Sequence, residues 1–168
     1  MAGDAAEDIV NVWLNEKGYF TRRNIKVGRK EIDLLGINKE GKGVHAEVTV
    51  SINPFTKNIA KERKQTRDFY TKKFKDKEIT DKIHELLGRH KKYQKWIILG
   101  IKESKRKTEK EKKKNREKWR KVWKNRGKVK EVRFMDEVLE EIDFKEVPQD
   151  YASNFIMILK KYDKKATT

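Results

Sequence analysis

Apolar residues recur at helical spacing near the start of the chain: Ala6, Ile9, Val10, Trp13 and Leu14 fall at i, i+3, i+4, i+7 and i+8. This predicts an amphipathic helix over 5–17, with Asp4 as N-cap and Gly18 as stop. The pattern then switches to period two. Tyr19 to Val27 reads as a first strand, and Ile32, Leu34 and Ile37 mark a second. Val44, Ala46, Val48 and Val50 alternate with His45, Glu47, Thr49 and Ser51, which predicts a third strand with one buried face. Between the second and third strands, Asn38 to Gly43 carries two glycines and charged residues, the chemistry of a turn. Residues 31–50 therefore form a β-hairpin around which the rest of the chain is organised.

Ser51-Ile-Asn-Pro54 ends that strand, because proline cannot donate to a ladder. Helical spacing returns over 58–75, with Ile59, Thr66, Phe69, Tyr70 and Phe74 inward and Lys61, Lys64, Arg67 and Lys72 outward. A short helix over 81–87 turns Ile83, Leu86 and Leu87 inward and stops at Gly88. His84 and His90 face solvent, since neither has metal-ligand spacing with a second His or Cys. Trp96 to Ile101 is a continuous apolar run, as expected of a strand covered on both faces. Val129 to Phe134 is a last strand. Asp136 caps a short helix through Ile142, and Asp150 opens a final one bearing Tyr151, Phe155, Ile158, Leu159 and Tyr162 before a basic tail. The order predicts an α/β fold, a mixed central β-sheet flanked by helices. No repeat or flexible linker divides the chain, so 1–168 reads as one domain.

Composition adds a partner. Net charge is +17, and only 35% of the chain is hydrophobic against 42% charged. Such an excess implies a polyanion, most often nucleic acid. An anionic membrane surface competes, but no stretch is long or apolar enough to span a bilayer. The acidic N-terminus is no secretory signal. Zero cysteines exclude disulfides and thiolate metal sites, and fit a cytoplasmic protein. Abundant Lys and Glu lean toward a thermophile. The excess is concentrated: residues 102–130 hold 16 Lys and Arg against 4 Glu, and Lys105 to Lys118 contains no apolar residue. Trp119, Val122 and Trp123 then follow at i, i+3 and i+4. This reads as a basic helical arm over about 102–127, projecting into solvent and docked at its far end through the tryptophans as core anchors. Lys112, Lys113, Lys114, Arg116, Arg120, Lys124 and Arg126 on it are candidates for nucleic-acid contact, against a plain solvated helix. Arg22, Arg23 and Lys30 are further candidates, against an edge strand blunted by charge.

The hairpin carries the candidate chemistry. Asp33 on one arm and Glu47 on the other can be brought side by side, and two adjacent carboxylates repel unless a cation sits between them. A hard divalent metal is the natural cation for oxygen ligands. Glu7 has two readings. It can reach back to the Asp4 amide in a capping box, or lean over the hairpin as a third acidic group.

Asp33, a hairpin-length gap, and Glu47-Val48-Thr49 resemble the signature of the PD-(D/E)XK nuclease superfamily: an Asp, a spacer, then Glu-x-Lys. Glu7 followed by Gly18-Tyr-Phe-Thr-Arg-Arg-Asn-Ile-Lys-Val27 resembles the entry to archaeal Holliday-junction resolvases. The likeness covers about 5–101, with a C-terminal strand and helices over 128–163 beyond the arm. One position departs: Thr49 stands where the family has Lys. The resemblance implies a restriction-endonuclease-like sheet and Mg²⁺ (or Mn²⁺) held by Asp33, Glu47 and the Val48 carbonyl with Glu7 in support. It also implies hydrolysis of DNA phosphodiesters, in structured or branched DNA, by a two-fold homodimer. Lys57, Lys61, Lys64 or His45 are the groups open to replace the missing charge, with Lys61 and Lys64 also placed to meet the backbone. The competing reading is a catalytically silent nuclease fold that binds DNA or RNA as a subunit; a weaker third is a basic protein whose arm binds RNA or a ribosomal partner.

Overall fold

The computed structural model describes residues 2–49, 59–100, 107–127, 129–143 and 145. The exit at Ser51 to Pro54, Lys57, and the final helix from Asp150 lie outside the described residues, as do the side chains of Asp4, Lys61 and Arg126. The chain runs α1 (Ala2–Glu16), β1 (Tyr19–Val27), β2 (Lys30–Asn38), β3 (Gly43–Thr49), α2 (Ile59–Phe74), α3 (Lys77–Leu87), β4 (Tyr93–Leu99), α4 (Glu109–Gly127), β5 (Val129–Phe134) and α5 (Met135–Glu141).

Among the described residues, five strands form one mixed sheet in the order β1-β2-β3-β4-β5. β1, β2 and β3 are antiparallel neighbours, whereas β3, β4 and β5 run parallel. The change of direction follows from the connections. A short turn joins β2 to β3, while two helices carry the chain from β3 to β4. In the turn, Asn38 Oδ1 accepts from the amides of Glu40 and Lys42 at 3.1 and 2.8 Å, and Gly41 takes φ 77°. An Asx turn of this kind sets the hairpin register, pairing Ile37 with Gly43 and Leu34 with Ala46.

Helices cover both faces. On one, α1 and α5 pack Ile9, Val10, Trp13, Met135 and Val138 against Leu34, Val44, Ala46 and Ile98. On the other, α2 and α4 pack Tyr70, Phe74, Trp119 and Trp123 against Ile97, Leu99, Val132 and Phe134. α3 lays Ile79 and Ile83 over Ile25, Ile32 and Leu35.

Several sequence expectations shift. α1 begins at Ala2, so Asp4 lies within its first turn instead of capping it. α3 starts earlier than Asp81, because Asp76 caps it by accepting from the Ile79 amide at 3.1 Å. That start turns Ile79 inward and leaves Leu86 36% exposed. His84 is half-buried, its ring 5.8 Å from that of Tyr93. α5 begins at Met135, before Asp136; the Glu137 carboxylate reaches back to the Phe134 amide at 3.0 Å. α4 holds its expected anchors, Trp119 and Trp123, but its apolar-free half does not simply project. Arg116 forks onto Asp136 at 3.0 and 2.6 Å, Arg120 pairs with Glu137, and both guanidinium groups lie over the Phe134 ring. Arginine stems and paired heads do there what apolar side chains do elsewhere.

Candidate metal centre

The β2–β3 ladder runs from Ile37–Gly43 to Leu34–Ala46, and one further step in that register sets Asp33 opposite Glu47. Here side chains take over from backbone pairing. The Val48 amide donates to Asp33 Oδ2 at 2.9 Å, and the Asp33 amide lies 3.4 Å from Glu47 Oε1. Val48 thus enters the site through its N–H. The fork holds two carboxylates in nearly full burial, Asp33 5% and Glu47 0% exposed.

The charge that faces them comes from α2. Lys73 Nζ stands 3.1 Å from Asp33 Oδ1 and 2.7 Å from Glu47 Oε2, and donates to the Glu31 carbonyl at 3.1 Å. Its position follows from helix geometry. Thr66, Phe69, Tyr70, Lys73 and Phe74 lie at i, i+3, i+4, i+7 and i+8, so Lys73 shares the inward stripe with the aromatics that anchor α2. Lys73 is the group that sequence reasoning missed, and this stripe is the signal that could have found it.

On its other side Glu47 meets His45, whose Nε2 is 2.6 Å from Oε1. His45 is fully buried, with its ring 4.8 Å from that of Phe74. Burial pushes its pKa down to about 3, so the imidazole is neutral at pH 7. A neutral ring facing a carboxylate oxygen at that distance carries its proton on Nε2 and donates it. Nδ1 is then a buried acceptor with no hydrogen-bond partner among the described residues.

Asp33 also faces α1. Glu7, Glu31 and Asp33 each offer a carboxylate oxygen, all within 4.8 Å of one another. Glu31 is a second group the sequence reading missed, although it lies two residues before Asp33 and so on the same strand face. Crowding has its usual consequence. Burial, then the neighbouring Glu47, pushes Asp33 up to about 7, with Lys73 opposing. Burial raises Glu47 as well. Burial works to lower Lys73, but Glu47 and Asp33 outweigh it and hold the ammonium above its ordinary range. Three convergent carboxylates suit a hard divalent cation, which would share Asp33 with the Lys73 ammonium and Glu31 with that of Lys26.

Thr49 is buried two residues beyond Glu47, on the same strand face. Lys64 is exposed on α2, and Arg22 is exposed on β1. Arg23 pairs with Asp8, and Lys30 with Asp76 and Glu78 at 2.6 and 3.0 Å. On α4, Lys112 pairs with Glu109 at 2.9 Å, whereas Lys113, Lys114 and Lys124 are exposed. Among the described residues no helix is long and apolar enough to cross a membrane. Comparison with known proteins finds no matching family model, no matching curated protein and no matching solved structure.

Proposed function

We propose that this chain is a divalent-metal-dependent nuclease with a restriction-endonuclease-like core, hydrolysing phosphodiester bonds in DNA. The observation that carries the reading is the Lys73 ammonium between Asp33 and Glu47. It supplies from a helix the positive charge absent at Thr49, so the acidic pair and a lysine stand together although the linear motif is broken. Asp33 would hold the metal with Glu7 and Glu31 on one side, while Glu47 keeps Lys73 on the other. A bound Mg²⁺ or Mn²⁺ would polarise a phosphoryl oxygen and make water acidic at neutral pH.

The protein's own part is electrostatic. Lys73 offsets the charge that builds on the phosphate as the attacking oxygen closes in, while its three N–H groups stay on Asp33, Glu47 and the Glu31 carbonyl. Removing one such preorganised contact typically costs about 2.7–4 kcal/mol, or roughly a hundred- to a thousand-fold in rate. His45 and the Asp33 and Val48 amides fix the two carboxylates, so little reorganisation accompanies the reaction.

The test is cleavage. Labelled duplex, single-stranded and four-way-junction DNA are incubated with Mg²⁺ or Mn²⁺ and wild type, Asp33→Ala or Glu47→Ala. Metal-dependent nicking lost in both variants is the expected result. Tight binding without cleavage under either metal would favour a second reading, a silent nuclease-fold module that binds DNA. Lys73 is also the observation that favours that module, because it already neutralises the buried pair.

A further inference from the structure

The described cations of α4 divide into paired and outward-facing sets. Arg116 and Arg120 turn inward onto Asp136 and Glu137, and Lys112 turns onto Glu109. Lys110, Lys113, Lys114, Lys121 and Lys124 are exposed, and no ion pair engages them among the described residues. At 100° per residue these five fall within a sector of about 100°, opposite Trp119 and Trp123. They extend over roughly 21 Å of helix axis. The one acidic residue in that sector, Glu117, is occupied by Arg120 at 2.8 Å.

From this division we infer that the outward face of α4 is a docking surface for the phosphate backbone of double-helical DNA, read as charge and not as sequence. The inference rests on the nucleic-acid reading above but not on catalysis. Its residue chemistry chooses the partner. The sector holds no aromatic side chain on which unpaired bases could stack, the usual requirement of single-strand binders. It holds no apolar side chain to enter a lipid interface either. Lysine is a compact point charge that meets phosphates singly, whereas Arg116 and Arg120, planar groups suited to bidentate base contacts, are turned inward. One DNA strand offers a phosphate about every 3.4 Å, so roughly six lie along the length of the row. α4 also packs beside α2, the helix that carries Lys73.

The experiment compares wild type with a full-length variant in which Lys110, Lys113, Lys114, Lys121 and Lys124 are all changed to Gln, and with one in which all five become Arg. Circular dichroism first establishes that each folds. Binding to a labelled random-sequence duplex is followed by anisotropy across a salt series, with phosphatidylserine vesicles as a second arm. Hydrolysis of bis-(p-nitrophenyl) phosphate, too small to reach α4, reports separately on the metal centre. The Gln variant should bind the duplex roughly ten-fold or more weakly, with a log–log salt slope shallower by about 3–4. The Arg variant should bind like wild type, and small-substrate turnover should not change. A duplex affinity and slope unaffected by the five Gln changes overturn the docking surface, as does tighter binding to vesicles than to duplex. Absent turnover with the expected loss of slope leaves the surface standing and removes the enzyme.

Discussion

Lys73 Nζ lies 2.7 Å from Glu47 Oε2, a contact between the buried stripe of α2 and the polar face of β3 that joins residues far apart in sequence. With Asp33 at 3.1 Å it makes a three-residue charge cluster in which neither carboxylate could ionise comfortably alone.

Removing that ammonium should therefore act twice. Lys73→Met should lower DNA cleavage by roughly a hundred- to a thousand-fold, the size of a lost electrostatic contact. It should also destabilise the fold, by at most about 3–5 kcal/mol, since protonation of Asp33 and the partial exposure of Lys73 relieve part of the cost. Single-turnover cleavage and urea unfolding measure the two effects.

Thr49→Lys tests where the charge has to stand. In wild type, with Lys73 already in place, it should bring no gain. Combined with Lys73→Met it should recover at least ten-fold of the lost rate, the gain expected when part of one electrostatic contact returns. Rate assays of both variants decide it, and no recovery would mean that the helical position of the ammonium matters beyond its charge.

Metal binding should depend on pH through Asp33. Its pKa near 7 means that at pH 6 the native carboxyl is mostly protonated, and a cation must displace that proton. Affinity should rise by up to about ten-fold per pH unit below 7 and level off above it. The sign for stability is opposite. A folded pKa above the unfolded value gives the metal-free protein stability that is full below about 3.9 and lost as pH rises through 7. Calorimetric titration with Mn²⁺ from pH 5.5 to 8 checks the binding arm, and Asp33→Asn should flatten the profile.

His45 should act through Glu47. His45→Phe fills the space but leaves Glu47 Oε1 only the longer contact with the Asp33 amide, so metal affinity and cleavage should drop, whereas His45→Gln can still donate and should keep most of both. Second-layer partners of this kind typically account for about 10–100-fold.

Most of this fold could be read from periodicity. The helical stripe Ile9, Val10, Trp13 is buried as its spacing implies, and the alternation in Val44 to Val48 marks a strand; its polar side is not the open face that alternation implies, because His45 and Glu47 are buried too. Asp33 and Glu47 were legible because a hairpin of fixed length sets them opposite. Lys73 was not, because lysine is assumed to face water and only an ion pair overrules that. Glu31 was overlooked for a similar reason: an acidic residue at a strand start reads as solvent-facing until a third carboxylate, Glu7 of α1, is known to lean over it. The pairing of Arg116 with Asp136 was hidden differently, since it depends on α5 lying beside the base of α4.

The most direct measurement is an anomalous difference map from a crystal of the protein soaked in Mn²⁺. A peak is expected about 2–2.5 Å from an Asp33 carboxylate oxygen, shared with at least one of Glu7, Glu31 and Glu47, with Lys73 still beside Glu47. A map with no peak at Asp33, and Lys73 alone bridging Asp33 and Glu47, would contradict a metal centre there.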